Sequence, residues 1–317
     1  MMKKTFKWGW ILLVVGIVFL VVGGFAHGAK DVVFNSWRPM VYSTKADYHK
    51  NYDIDDFNQI DVSASNADVK IRRGNEYQVK YSGRKSARPS VKVVNGRLTV
   101  RQKGPTQKNR FVGFRWFGNE KDVTNKLTVY VPDNVKLKKV RNLNNYGKTD
   151  IKAISTDYLE AIGSEGALKL SNLNIDDANI EMRDSSEVRL ENTNLLAGLV
   201  TSEDSDINIS NGALRRVEIQ QEDGDINMRN VALDGGKAEL SDGDINLSES
   251  TVSRGYLVTN DDGDNVLKNI KAGGYEVVNE DGDNSLFGKT SEGGNIHSGT
   301  RQNVITVKNS SGDNTVR

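Results

Sequence analysis

The chain has 317 residues, 27% of them charged, with four prolines and no cysteine. The lack of cysteine excludes a disulfide framework, and the three scattered histidines, His27, His49 and His297, leave few candidates for a His-dependent nucleophile or a zinc cluster. A formal charge of +1 conceals an asymmetry: 26 basic against 11 acidic side chains precede residue 141 and 17 against 31 follow it, an acidic half that argues against nucleic acid as a partner.

The run Trp10 to Ala26 carries no charge, and its 17 residues would span about 25 Å as a helix, near the lower limit for crossing a bilayer. Lys3, Lys4 and Lys7 precede it, with Trp8 and Trp10 at the expected interface, so residues 1–30 read as cytoplasmic lysines followed by a transmembrane anchor. The competing reading is a cleaved signal peptide, for which Ala26-His27-Gly28 is a mediocre site; either way the remainder is exported. Residues 31–56 show no sustained period and read as a linker. From Phe57 to 140, alternation marks strands at Ile60–Val62, Asp68–Ile71, Tyr77–Tyr81, Val91–Val93, Arg97–Val100 and Lys126–Pro132, with Asn95-Gly96 as a hairpin turn. An aromatic and basic insertion interrupts them. Its Phe111, Phe114, Arg115, Trp116 and Phe117 suit either a cap over the open end of a repeat stack or an anionic membrane surface.

Residues 141–317 are a repeat array. Asp-Gly-Asp recurs with its glycines at 224, 243, 263 and 282, weaker copies extend back through Ser205, Ser186, Gly166 and Gly147, and Gly312 follows after a step of 30. Other positions keep that phase. Four residues past each pivot the side chain is apolar, from Ile151 to Val316; two residues past it runs through Ile207, Ile226 and Ile245 and then Asn265, Asn284 and Asn314; six past it stand Asn172, Asn192, Asn211, Asn230 and Asn269. A 19-residue unit cannot bury its own apolar face, but stacked on copies about 4.8 Å away it can. The expected fold is therefore all-β: a right-handed β-solenoid of about nine coils, with amide-rich corners, glycine-rich returns at Gly198, Gly235, Gly236, Gly255, Gly273 and Gly274, and a last coil ending at Val316-Arg317 without an obvious cap.

The order Phe57-x-x-Ile60-x-Val62, Ala67-Asp68-Val69-x-Ile71, Asn95-Gly96-x-Leu98-x-Val100, Leu127-x-Val129-x-Val131-Pro132, followed by glycine-centred repeats, resembles a bacterial β-strand-repeat domain of unknown function that carries an adhesin label. Membrane-anchored members, the LiaG-like proteins, accompany envelope-stress systems of Gram-positive bacteria. The resemblance covers roughly residues 57–317 and implies fold and location; it brings no catalytic motif to transfer.

The stacked turns would place Asp225, Asp244, Asp264 and Asp283 in one column, flanked by Asp223, Asp242, Asp262 and Asp281. Such a column could be relieved by a weakly bound Ca²⁺, although the nonapeptide and EF-hand spacings are missing; otherwise Asp-Gly makes the turn and the outer Asp keeps an edge soluble. No other cofactor is expected. A carboxylate column that recurs coil after coil is unlike the single irregular constellation of an enzyme, including a polysaccharide-cleaving one. The expected function is a non-enzymatic adhesin or interaction module of the cell envelope, contacting wall polymer, an envelope protein or a host surface. The alternative is a regulatory sensor acting through a membrane partner, since about nine cytoplasmic residues leave no room for a signalling domain.

Overall fold

The structure is a computed structural model that describes residues 2–25, 32–35, 38–41, 46–104, 113–114 and 124–317. It divides into two compact units, residues 1–46 with 105–123 and residues 47–104 with 124–317. In the first, a helix runs Met2–Phe25 and a three-stranded antiparallel sheet sets Val32–Asn35 between Arg38–Val41 and Gly113–Phe114. The helix side chains described, Trp8–Phe19 and Val22, are exposed on every side. Among the described residues no helix is long and apolar enough to cross a membrane.

The second unit is all-β. Each expected strand is present, as Gln59–Ala64, Asp68–Gly74, Gln78–Gly83, Ser90–Val94, Arg97–Gln102 and Lys126–Pro132. The stretch read as a linker differs, because it contributes strands, of which Tyr48–Asp53 pairs antiparallel with Gln78–Gly83. As an edge strand it rests only Tyr48 and Tyr52 on the core, too few apolar positions to set a period.

Beyond residue 136 the strands pair in parallel with the segment 19 or 20 residues later. Ile207 faces Ile226, Ile226 faces Ile245, and all three are fully buried. Each such side chain removes enough apolar surface to contribute about 1.5–3 kcal/mol. The stacking also continues backward across residue 140, since Lys136–Tyr146 pairs with Gln59–Ala64 on one side and Ser155–Ser171 on the other, and Gln59–Ala64 pairs in parallel with Arg97–Gln102. The step of 20 residues from Gly166 to Ser186, one longer than its neighbours, is a bulge: Gly166 pairs with Ser185 but Ala167 with Glu187, and the inward residue of that layer is Ile180.

The pivot glycine is required twice over. At Gly263 φ is +122°, and a Cβ would overlap the carbonyl oxygen of Gly243 in the layer before. The corners at Asn172, Asn192, Asn211, Asn230 and Asn269 are left-handed, with φ between 50° and 55°, and Asn230 donates to Asn211 at 2.8 Å, so the amide serves both the backbone and the ladder. Gly273 and Gly274 depart from the expected reason for glycine. They are absent from the positive-φ positions and instead leave room for the Gln302 and Thr300 carbonyls.

The far end corrects the sequence reading. The last repeat does not lie at the end of the stack but between the two before it: Val304–Ser311 pairs in parallel with Tyr256–Asp262 on one side and with Gly274–Leu286 on the other. Spatial order is thus 263, 312, 282 at the pivots, and the step of 30 residues accommodates the strand Lys289–Gly299, which folds back antiparallel on Gly274–Leu286. Val316-Arg317 is therefore not an open end. The opposite end closes in the same way, with Ser90–Val94 antiparallel to Arg97–Gln102, so both terminal layers carry short antiparallel edges.

Candidate functional site

Two surfaces flank each pivot. On the turn itself, the aspartates one residue past the pivot form the expected column, in the order Asp206, Asp225, Asp244, Asp264, Asp313, Asp283. Each Oδ1 accepts the backbone N–H of the next aspartate: Asp225 N–H donates to Asp206 at 3.1 Å, Asp244 to Asp225 at 3.0 Å, Asp264 to Asp244 at 2.9 Å, Asp313 to Asp264 at 2.8 Å and Asp283 to Asp313 at 2.9 Å. The amides on either side, such as those of Gly243 and Ile245, pair forward with backbone carbonyls, so the carboxylate supplies the acceptor that the ladder omits for the aspartate N–H. Among the described residues no three His, Asp or Glu side chains converge on a position that could hold a metal ion.

Beneath the turn lie buried amides. Asn265 donates to Asn314 at 2.8 Å and Asn314 to Asn284 at 2.9 Å, the internal ladder, again in spatial rather than chain order. Facing it, Asn260, Asn309 and Asn279 donate to the pivot carbonyls of Gly243, Gly263 and Gly312 at 2.9, 2.8 and 2.7 Å. The sequence reading missed this second set, three residues before each pivot, although its period was available.

The other surface is the outward face of the strand after the pivot. There a trough of about 350 Å³ crosses four layers, with Arg189, Asn208, Asn227 and Asn246 stacked along one side and Ser210, Arg229 and Ser248 along the other. Asn208 donates to Glu187 at 3.3 Å, Arg189 pairs with Glu187 and Arg229 with Glu249 at 3.1 Å, whereas among the described residues no hydrogen bond engages the side-chain amides of Asn227 and Asn246. A second pocket of similar volume lies near the other end, lined by Gln59, Arg97 and a ladder of charges. In it Asp61 bonds Arg101 at 2.5 Å, and Glu160 meets Lys139 at 3.0 Å and Arg141 at 3.2 Å. Burial alone would raise both carboxyl pKa values; hydrogen bonds and charges from these cations outweigh it and leave both below the ordinary range. Every group there already has a partner, so the pocket is a structural network.

Of the aromatic and basic insertion, Phe111, Arg115, Trp116 and Phe117 lie outside the described residues. Phe114 pairs through its backbone with Val32 in the small sheet.

The architecture of paired parallel layers closed by antiparallel edges spans residues 57–317, the same residues matched by the family model described as Toastrack DUF4097. The chain belongs to the Toastrack DUF4097 family. No curated protein matches it. The Toastrack region is similar to solved structures of a candidate adhesin from Bacteroides fragilis (13% identity, TM-score 0.41, covering 85% of this chain and 96% of that one) and of a candidate adhesin from Parabacteroides merdae (13%, 0.35, 84% and 95%). It is also similar to a candidate lipid-binding protein from Parabacteroides distasonis (10%, 0.37, 86% and 99%).

Proposed function

We propose that the protein is a non-enzymatic interaction module of the cell envelope, an adhesin-type β-repeat protein held on the outer side of a membrane by the uncharged run Trp10 to Ala26. The reading takes the parallel layers as a right-handed β-solenoid, the hand favoured for parallel crossovers, with the nine coils read from the pivots and further layers built from residues 59–74, 97–102 and 126–132. One observation carries the functional part: polar side chains repeat outward at the layer spacing over a continuous face, which suits a repetitive partner better than a single small substrate. The exposed apolar helix behind three lysines supports anchoring with the N-terminus in the cytoplasm.

The test is protease treatment of intact cells followed by crosslinking. Cleavage of the repeats from outside, with crosslinks to wall or surface material, is the expected result. Repeats protected until the cells are lysed would overturn it, and one stoichiometric membrane partner would favour a regulatory sensor.

A further inference from the structure

The outward face that holds the trough differs in charge from the rest of the repeat half. Lys152, Lys169, Arg189, Arg229 and Lys268 lie on it against Asp150 and Glu191, with Glu187 and Glu249 paired to the two arginines, although residues 141–317 together carry 31 acidic and 17 basic side chains. Two cations line the trough itself. Arg189 stands on one side and Arg229 on the other, two layers and so about 9.6 Å apart along the stack at a layer spacing of about 4.8 Å; Lys268 follows in the row of Arg229 two layers further, beyond the trough. Between them the layers offer neutral groups, the amides of Asn208, Asn227 and Asn246 and the hydroxyls of Ser210 and Ser248.

The geometry points to a linear acidic glycan as the occupant, with one carboxylate per disaccharide and its axis along the stack; this inference rests on the surface-interaction reading above. One hexose unit is close to one layer in length, so hydroxyls meet the Asn and Ser rows while successive carboxylates, two layers apart, reach Arg189 from one side and Arg229 from the other. The amides of Asn227 and Asn246 each present two donors and an acceptor without an internal partner, as a polyhydroxylated chain requires. The ion pairs of Arg189 with Glu187 and Arg229 with Glu249 are exposed, and such pairs contribute little, so the guanidiniums can turn to a ligand carboxylate at small cost. The row of Asp206, Asp225 and Asp244 borders one side of the trough and repels an acidic chain from that side. No aromatic ring lines the trough, so the affinity of one short oligosaccharide is modest and grows with the number of layers engaged.

The experiment uses the full chain in a neutral detergent and a fluorescently labelled hyaluronan octasaccharide, with binding followed by anisotropy at near-physiological salt. Saturable binding is expected, weakened about tenfold by Arg229→Gln or Arg189→Gln and a few-fold by Asn227→Ala with Asn246→Ala. Lys237→Gln, outside this face, should leave it unchanged, and an uncharged chitin oligosaccharide of equal length should bind at least about tenfold more weakly. Absence of saturable binding overturns the inference. So does equal binding of the uncharged chain, an equal loss with Lys237→Gln, or Arg229-dependent binding confined to phosphatidylserine vesicles. Each of these leaves cell-surface exposure standing, whereas protease-protected repeats would sink the envelope reading and not the glycan site.

Discussion

Between Ser205 and Gly243 the position two residues past the pivot carries isoleucine in three successive layers, whereas the same position in the last three layers carries asparagine. Both interiors are fully buried and both sit under turns whose last residue is an aspartate of the column. They differ in direction. An isoleucine gains apolar burial from any aliphatic neighbour, so the middle of the stack draws stability from its ladder without specifying which strand lies above which. An amide ladder assigns a donor and an acceptor to each member, and Asn314 must accept from Asn265 and donate to Asn284 at once. That demand fixes the register of the three layers on one another but not their order, which follows from Lys289–Gly299 folding back on one edge of Gly274–Leu286 and leaving the other edge to Val304–Ser311.

Substitutions in the two regions should therefore fail differently. Ile226→Ala should cost about 3–4 kcal/mol in denaturant unfolding, the usual loss of transfer energy plus a void. Asn314→Ala should cost about 2–3 kcal/mol, because it leaves the Asn265 amide and the Asn284 oxygen buried and unpaired. Replacing Asn265, Asn314 and Asn284 together by leucine should cost less than Asn314→Ala alone, since no side-chain amide is left buried without its neighbour, yet hydrogen exchange across Val304–Ser311 should accelerate as the polar register between the layers is lost. A triple variant as destabilised as the single one, with unchanged exchange, would show that the amides do not set the register.

The turn column gives a smaller contrast. Asp225→Ala removes the acceptor for the Asp244 N–H and should cost about 1–2 kcal/mol, while Asp225→Asn retains an oxygen at that position and should stay within about 0.5 kcal/mol of the parent. Equal losses in the two variants, measured by thermal melting, would mean that the charge rather than the hydrogen bond matters there.

The period, the inward positions and the left-handed corners were legible because each repeats at fixed phase to Gly224, Gly243 and Gly263. The exchange of order at the far end was not. Asn265, Asn284 and Asn314 occupy the same phase, as do Asn260, Asn279 and Asn309, so nothing in the residues distinguishes the middle layer from the last. The only trace was the step of 30 to Gly312, which an insertion explains without any change of order. The trough was overlooked for a different reason. Asn208, Asn227 and Asn246 keep the repeat phase as faithfully as the aspartates, but an outward amide is ordinary on a solvated strand face, and its significance depends on the arginines that stacking brings alongside.

The end near Gln59 contrasts with the far end in using charge where the latter uses amides. Asp61 and Glu160 have folded pKa values below their ordinary 3.8 and 4.5, so their stabilisation is complete above those values and is lost as pH falls through the lowered folded ones. Stability should therefore decline by about 1 kcal/mol below about pH 4.5 through this network, a modest figure because the arginines are partly exposed. In Arg101→Gln that decline should be shallower, measured as unfolding midpoints between pH 3 and 6; a parallel shift of the whole curve would place the acid sensitivity elsewhere.

The smallest effect concerns the corner column, where two layers break the rule that the others keep. Ala153 and Glu249 hold φ of 57° and 53° without the side chain that favours a left-handed backbone, and Glu249 is also tied to Arg229. Ala153 is the cleaner position, one layer from Asn172. Ala153→Asn should stabilise by about 0.5–1 kcal/mol, through relief of backbone strain and a new ladder contact like that of Asn230 with Asn211. Ala153→Val should destabilise, since a β-branched side chain tolerates positive φ poorly. If both variants melt at the parental temperature, the corners of the early layers relax freely. The strict left-handed geometry would then be imposed by the Asn ladder of the later layers and not by the coil itself.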